Sequence, residues 1–185
     1  DKVRQSNFLA IVGQSGSGKS SVMRAGLLHQ LKQGEKLAGS GQWKVKILVP
    51  GEDPLESLAL TFIDPALSEI AAAKELMEGR KLLENSELEL LIKACKSPKV
   101  VIVIDQFEEV FTLCEDVGKR EQFLSCLLEA AEKLKGKLCL VLAMRADFLG
   151  KCLEREYSGL GKKIQENLIP VIPMNRKQLQ EAIAK

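Results

Sequence analysis

The sequence carries no excess of one charge: 27 Lys and Arg stand against 25 Asp and Glu, a formal net charge of +2. No direct nucleic-acid binding is expected from so balanced a surface. Five cysteines lie far apart with no C-x-x-C pair, which excludes a zinc site and a disulfide framework built on such spacing. Reduced thiols fit a cytoplasmic protein. The single histidine, His29, has no acidic or cysteine neighbour in sequence and reads as a surface or half-buried residue rather than a ligand. No apolar run is long enough to span a bilayer and no stretch reads as a signal peptide, so no membrane binding is expected. Repeats and low-complexity segments are also missing.

What remains is ordinary globular composition, 45% apolar and 28% charged over 185 residues, enough for one domain with a real core. The chain lacks an initiator Met and reaches its first apolar run within a few residues. It is expected to be a domain of a longer protein, with residues 1–172 as the core and 173–185 as the start of a following lid or helical region.

One stretch dominates. Gly13-Gln14-Ser15-Gly16-Ser17-Gly18-Lys19-Ser20 fits the P-loop pattern G-x-x-x-x-G-K-S/T at every position. With glycine near 7% of average composition, the fixed positions coincide by chance in roughly 1 of 25,000 windows. The context agrees: Phe8-Leu9-Ala10-Ile11-Val12 reads as a buried strand, and Met23, Leu27 and Leu31, four residues apart, read as one face of a helix. Glycines let the backbone approach an anion, and loop N–H groups with the helix N-terminus favour negative charge. Lys19 is expected to neutralise the β- and γ-phosphates of a nucleotide, Ser20 to hold Mg²⁺, and Ser21 to complete the cofactor-binding stretch.

Further along, residues 43–49 read as a second strand, and its alternating Lys44 and Lys46 suggest a sheet edge. Asp53-Pro54-Leu55-Glu56, Asp64-Pro65 and Ser86-Glu87-Leu88-Glu89 each read as a helix start, the second opening a helix that ends near Gly79. Residues 53–94 are long for a simple crossover. Val100-Val101-Ile102-Val103-Ile104 and residues 138–144 are apolar throughout, as central parallel strands are. A helix is expected over 119–134, and residues 168–172 form a last strand that Pro170 pushes to an edge. A final helix begins at Asn175. Strands alternating with helices give an α/β fold with a five-stranded parallel sheet. Two central-looking and two edge-looking strands fit the order 5-1-4-3-2.

Asp105 ends an apolar strand, at the carboxyl edge where open α/β sheets bind ligands. Its expected role is Mg²⁺ binding as a Walker B acid. Glu108 or Glu109 is expected to orient and deprotonate the attacking water, and spacing alone does not choose between them. Arg145 ends the strand placed between the P-loop and acidic strands, where it either senses the γ-phosphate or pairs with Asp147 or Glu108. No N-K-x-D guanine-reading motif is present, which favours ATP over GTP.

Residues 13–21 followed by Arg24-Ala25-Gly26-Leu27-Leu28, together with Val49-Pro50-Gly51-Glu52-Asp53-Pro54-Leu55, Ile104-Asp105-Gln106-Phe107-Glu108-Glu109-Val110-Phe111 and Arg145-Ala146-Asp147-Phe148, resemble the novel-STAND branch of signal-transduction ATPases. Pro173-Met174 and the residues to Ile183 resemble its post-core segment. The likeness implies a three-layer AAA+-like ATPase core in a multidomain switch protein that oligomerises and often carries WD repeats. By the same likeness Glu108 is slightly favoured over Glu109. The G-x-P motif of many relatives is not matched at Ile172-Pro173.

The expected function is therefore an ATP-binding, slowly ATP-hydrolysing regulatory domain with ATP and Mg²⁺ as cofactors. Its protein partners would act through other domains of the full-length protein. The rival readings are a P-loop small-molecule kinase, which usually carries a paired-arginine lid not evident here; a motor ATPase acting on nucleic acid through other domains; and a scaffold that holds nucleotide without turnover.

Overall fold

The computed structural model describes residues 6–34 and 39–172. Five parallel strands, β1 (Phe8–Gly13), β2 (Lys44–Leu48), β3 (Val100–Ile104), β4 (Leu138–Arg145) and β5 (Leu168–Val171), form one sheet in the order β2-β3-β4-β1-β5. This is the order expected from the sequence, read from the other edge. The central strands β1, β3 and β4 are apolar and buried along nearly their whole length. Both their faces are covered, so neither face needs polar residues.

Alternation along each strand sorts the core into two layers. Phe8, Ala10, Val12, Val100, Ile102, Ile104, Leu140 and Leu142 face one side. There they meet α2 (Pro54–Leu60), α3 (Glu69–Glu84), α4 (Leu88–Ala94), α5 (Glu109–Thr112), α6 (Val117–Lys133) and α7 (Leu160–Glu166). Leu9, Ile11, Val101, Val103 and Val141 face the other side, against Met23, Leu28 and Leu31 of the helix after the P-loop. Each large side chain buried this way contributes about 1.5–3 kcal/mol.

The edges also fall where the sequence placed them. β2 pairs with β3 alone, and Lys46 folds over it to donate to Thr61 O at 2.7 Å with its ammonium 5.1 Å from the Phe62 ring centroid. Lysines on an edge discourage pairing with another chain. β5 pairs with β1 alone, so Pro170 costs the sheet no ladder bond.

Several local expectations are corrected. The first helix, α1 (residues 19–33), is continuous, but Val22–Leu28 winds as a π-helix between the α-helical segments Lys19–Ser21 and His29–Gln33. The wider turn brings Met23 and Leu28, five residues apart, into the core and leaves Leu27 only half-buried. Asp64-Pro65 does not start a helix: the Asp64 carboxylate accepts from Ala66 N in a local turn, and α3 begins after Ser68, whose Oγ caps Ala71 N. The helix then runs straight through Gly79 to Glu84.

Ser86 caps nothing. With φ of +57° it ends α3, Ser86 N donating to Leu83 O and Glu87 N to Leu82 O, the paired bonds of a Schellman stop. Asp53 is a cap as expected, accepting from Glu56 N at 3.0 Å with Pro54 opening α2. Asp116 caps α6, which begins at Val117, two residues before the expected start. The expected helix from Asn175 and the lid residues 173–185 lie outside the described residues.

Candidate functional site

The carboxyl ends of β1, β3 and β4 bring the singled-out residues together. β1 runs into the glycine loop at Gly13, where an added Cβ would stand 2.6 Å from both Ser17 Oγ and Val171 O. No other residue fits at that close approach. Gly18, at φ +87°, turns the chain into α1. Ser17 N closes the loop onto Gln14 O at 3.2 Å, while Ser17 Oγ is buried without a hydrogen-bond partner. Gln14, Ser15 and Gly16 are exposed at the loop's crest and Ser21 on the helix flank. Lys19 lies across the mouth, its Nζ donating to Gly13 O at 3.1 Å and Gln14 O at 2.8 Å.

Ser20 and Asp105 meet across the site. Ser20 Oγ donates to Asp105 Oδ1 at 3.0 Å, and Gln106 N donates to the same oxygen at 3.0 Å. Asp105 is 3% exposed although it ends a strand. Its other oxygen, Oδ2, lies 3.6 Å from Nη2 of Arg24, whose side chain is 64% exposed. Arg24 stands one helical turn beyond Ser20, so both residues address the carboxylate from the same helix. Sequence reading assigned Arg24 no role, although its four-residue offset from Ser20 places the two on one helix face.

The two glutamates part company. Glu108 Oε2 accepts from Arg145 N at 3.2 Å, at the end of β4 and thus between the P-loop strand and Asp105. Glu109 Oε2 accepts from Gly51 N at 3.1 Å, in the loop after β2 on the far side of β3. Gln106, exposed and at φ +53°, lies in the turn that leads into both, and the helical backbone at Glu108 points the adjacent side chains apart. The Arg145 guanidinium forms a fork with Asp147, at 3.1 and 2.6 Å, and lies 5.4 Å from the Phe148 ring centroid. The pairing with Asp147 is therefore the contact Arg145 makes here. Arg145 holds the Asp147 carboxyl below its ordinary pKa, and the Lys19 charge adds to the effect.

The residues present fit a magnesium nucleotide. The loop approaches closely enough to exclude a Cβ at Gly13, and Lys19 places a cation across its mouth. Among the described residues no three His, Cys, Asp or Glu side chains cluster as a metal cage. A hydroxyl and one carboxylate 3.0 Å apart are instead the sparse oxygen set of an ion completed by phosphate oxygens and water. Elsewhere the chain offers less chemistry. Burial pushes the Cys126 and Cys139 thiols up to about 11 and Cys152 to about 12, which removes them as nucleophiles. An open groove of about 570 Å³ between the start of β2 and α2, α3 and α4 includes Lys44, Lys46, Phe62 and Glu78, none of them a residue of the phosphate loop.

A model of the family Novel STAND NTPase 1 matches residues 1–185. Among solved structures, the chain is similar to the Aeropyrum pernix ORC2 protein in ADPNP–ADP complexes, with 14% identity and a TM-score of 0.60 over 97% of this chain and 45% of that one. It is similar to the Aeropyrum pernix ORC1 protein in complex with DNA, with 16% identity and a TM-score of 0.61 over 95% of this chain and 42% of that one. It is also similar to the cytoplasmic domain of the Thermomonospora curvata type VII secretion ATPase EccC, with 14% identity and a TM-score of 0.50 over 95% of this chain and 20% of that one. The chain thus spans less than half the length of each, and at such identities the likeness is one of fold. Comparison with curated proteins gave no match.

Proposed function

Since this chain belongs to the Novel STAND NTPase 1 family, we propose that it is the ATP-binding, slowly ATP-hydrolysing switch domain of a multidomain cytoplasmic signalling protein. The observation that carries the reading is the 3.0 Å contact between Ser20 and Asp105, which joins the P-loop helix to the acidic strand. The glycine loop and Lys19 would hold the β- and γ-phosphates. Ser20 and Asp105 would hold Mg²⁺, which supplies charge neutralisation between the phosphates when bound.

Glu108 is the carboxylate we assign to the attacking water. It stands on the P-loop side of Asp105, whereas Glu109 is engaged by Gly51 on the other side. Slow turnover follows from Arg145, whose guanidinium is held by Asp147. An arginine delivered to the transition state is worth about 10³–10⁵ in rate, and Arg145 would have to leave Asp147 to act as one. Self-association in the longer protein would be one way to supply such a group.

The test uses the longer protein with its native flanks. The purified protein is denatured, any released nucleotide is identified by chromatography, and turnover of added MgATP is measured beside Lys19→Ala. Expected are a nucleotide retained by the wild type and lost in the variant, and slow release of phosphate. Rapid turnover with no retained nucleotide would sink the switch reading. Phosphate appearing on an added acceptor instead of in solution would make the domain a kinase.

A further inference from the structure

We propose that Arg24 is the counter-ion that Mg²⁺ must displace from Asp105, so that a guanidinium and the metal compete for one carboxylate. The inference rests on the magnesium-nucleotide reading above and adds a residue to it. A carboxylate that is 3% exposed needs its charge compensated. Asp105 has two hydrogen bonds, from Ser20 Oγ and Gln106 N, both on Oδ1. The cation nearest its other oxygen is Arg24, 3.6 Å from Oδ2.

The contact is loose in a way that distinguishes it from the other arginine pairs. Arg145 grips Asp147 through two hydrogen bonds, and Arg80 is bonded to both Glu56 and Asp53. Arg24 approaches Asp105 through one nitrogen beyond hydrogen-bond distance, with its side chain 64% exposed. It neutralises without being packed, and it can swing into water while little burial is lost.

Mg²⁺ cannot share the carboxylate on equal terms. The ion requires oxygens at about 2.0–2.1 Å and near-octahedral order, and Ser20 Oγ already points at Asp105. Metal at that point sets a divalent charge beside the guanidinium across one carboxylate, which can no longer serve both cations at close range, and the exposed Arg24 has water to move into. Ser20 and Arg24 also lie on the same helix, one turn apart, so the helix cannot tilt one toward the carboxylate independently of the other. The guanidinium yields. Arg24 thereby sets the Mg²⁺ concentration at which the site fills, and its charge moves outward when it does.

The experiment titrates Mg²⁺ against a fixed concentration of fluorescent ribose-labelled ATP, using the full-length protein as wild type, Arg24→Met and Arg24→Lys. Methionine keeps the stem and removes the charge, and lysine restores the charge. Arg24→Met is expected to reach half-saturation at Mg²⁺ lower by about two- to fivefold, the scale of one partly exposed ion-pair contact. Arg24→Lys is expected to return toward the wild type. Thermal unfolding without nucleotide or metal should show Arg24→Met less stable than wild type, with the deficit closing at saturating Mg²⁺ and ATP. An unchanged or higher Mg²⁺ requirement in Arg24→Met overturns the proposal, because Arg24 would then be a spectator or a support for the bound metal. If the wild type itself binds the labelled ATP with no Mg²⁺ dependence, the magnesium-nucleotide reading fails instead.

Discussion

Two aspartates that follow strands of the same sheet are wired in opposite ways. Asp53, in the loop after β2, is held entirely by protein: it caps α2 through Glu56 N, and it bonds Arg80 of α3 and Lys119 of α6 at 3.3 and 2.9 Å. Asp105, at the end of β3, is more deeply buried yet holds a serine hydroxyl, its neighbour's N–H and a loosely placed arginine. The first arrangement ties three helices together. The second leaves Asp105 with a contact that, on the reading proposed above, a phosphate-bound metal would displace at small cost. Burial of an acid therefore does not mark a functional site by itself. What marks it is whether its partners can move.

The comparison extends to Glu108 and Glu109, and there the largest effect is expected. Glu108→Gln should lower single-turnover ATP hydrolysis by roughly 10²–10⁴, the usual range for a general base, while labelled ATP binds within about threefold of wild type. Glu109→Gln keeps the shape of the Gly51 contact and should cost less than about tenfold. Equal losses from the two substitutions would erase the distinction between the P-loop side and the β2 side of the acidic strand.

A smaller effect is expected at Asp53, and it should fall on stability rather than on nucleotide binding. Asp53→Ala removes a helix cap, about 1 kcal/mol in most hosts, and strands two cations, so a total near 1–2 kcal/mol and a few degrees in thermal midpoint are expected. The same group gives a pH signature. Burial acts to raise its pKa, but the Lys119 hydrogen bond, the Glu56 N–H and the Arg80 and Lys119 charges outweigh it and hold the carboxyl below its ordinary value. A depressed folded pKa means stabilisation present above the unfolded value near 3.9, lost as pH falls through the lower folded value. Asp53→Asn should flatten that acid limb of the unfolding profile. A limb as steep as in wild type would place the acid sensitivity elsewhere.

How much could be read in advance follows the same division. Strand order was legible because unbroken apolar runs mark central strands, while Lys44, Lys46 and Pro170 mark edges. The glycine turn after β1, the place of Asp105 just beyond β3 and the Asp53 cap were legible because each is a local pattern with a local cause. The π-helical turn in α1 was not, since apolar spacing of four and of five residues both occur among Met23, Leu27, Leu28 and Leu31. Ser86 was misread because a serine before Glu-Leu-Glu has the composition of a cap, while the left-handed turn that makes it a stop depends on where α3 ends. The separation of Glu108 from Glu109 was hidden for a related reason. Adjacent side chains in a helical turn always diverge, but which of them faces β4 depends on how the turn at Gln106 aims the helix, and positive φ at a glutamine has no sequence signature.

The smallest effect tests whether the helices after β2 are scaffold, as the wiring of Asp53 implies. Gly79, the expected end of a helix, lies inside α3, buried, with no left-handed φ. An added Cβ there would come no nearer than 3.6 Å to the Cβ of Ala59 on α2, an ordinary contact. Nothing in the backbone requires glycine, and its flexibility in the unfolded chain costs a helix interior about 0.5–1 kcal/mol relative to alanine. Gly79→Ala should therefore raise the thermal midpoint by about 1–4 °C and leave ATP affinity and turnover as they are. A stabilised variant with unchanged turnover fits α2 and α3 as a rigid clamp on the sheet edge. A stabilised variant with slowed hydrolysis would show instead that motion between these helices reaches the site, through Gly51 and Glu109, and the two regions would no longer be separable.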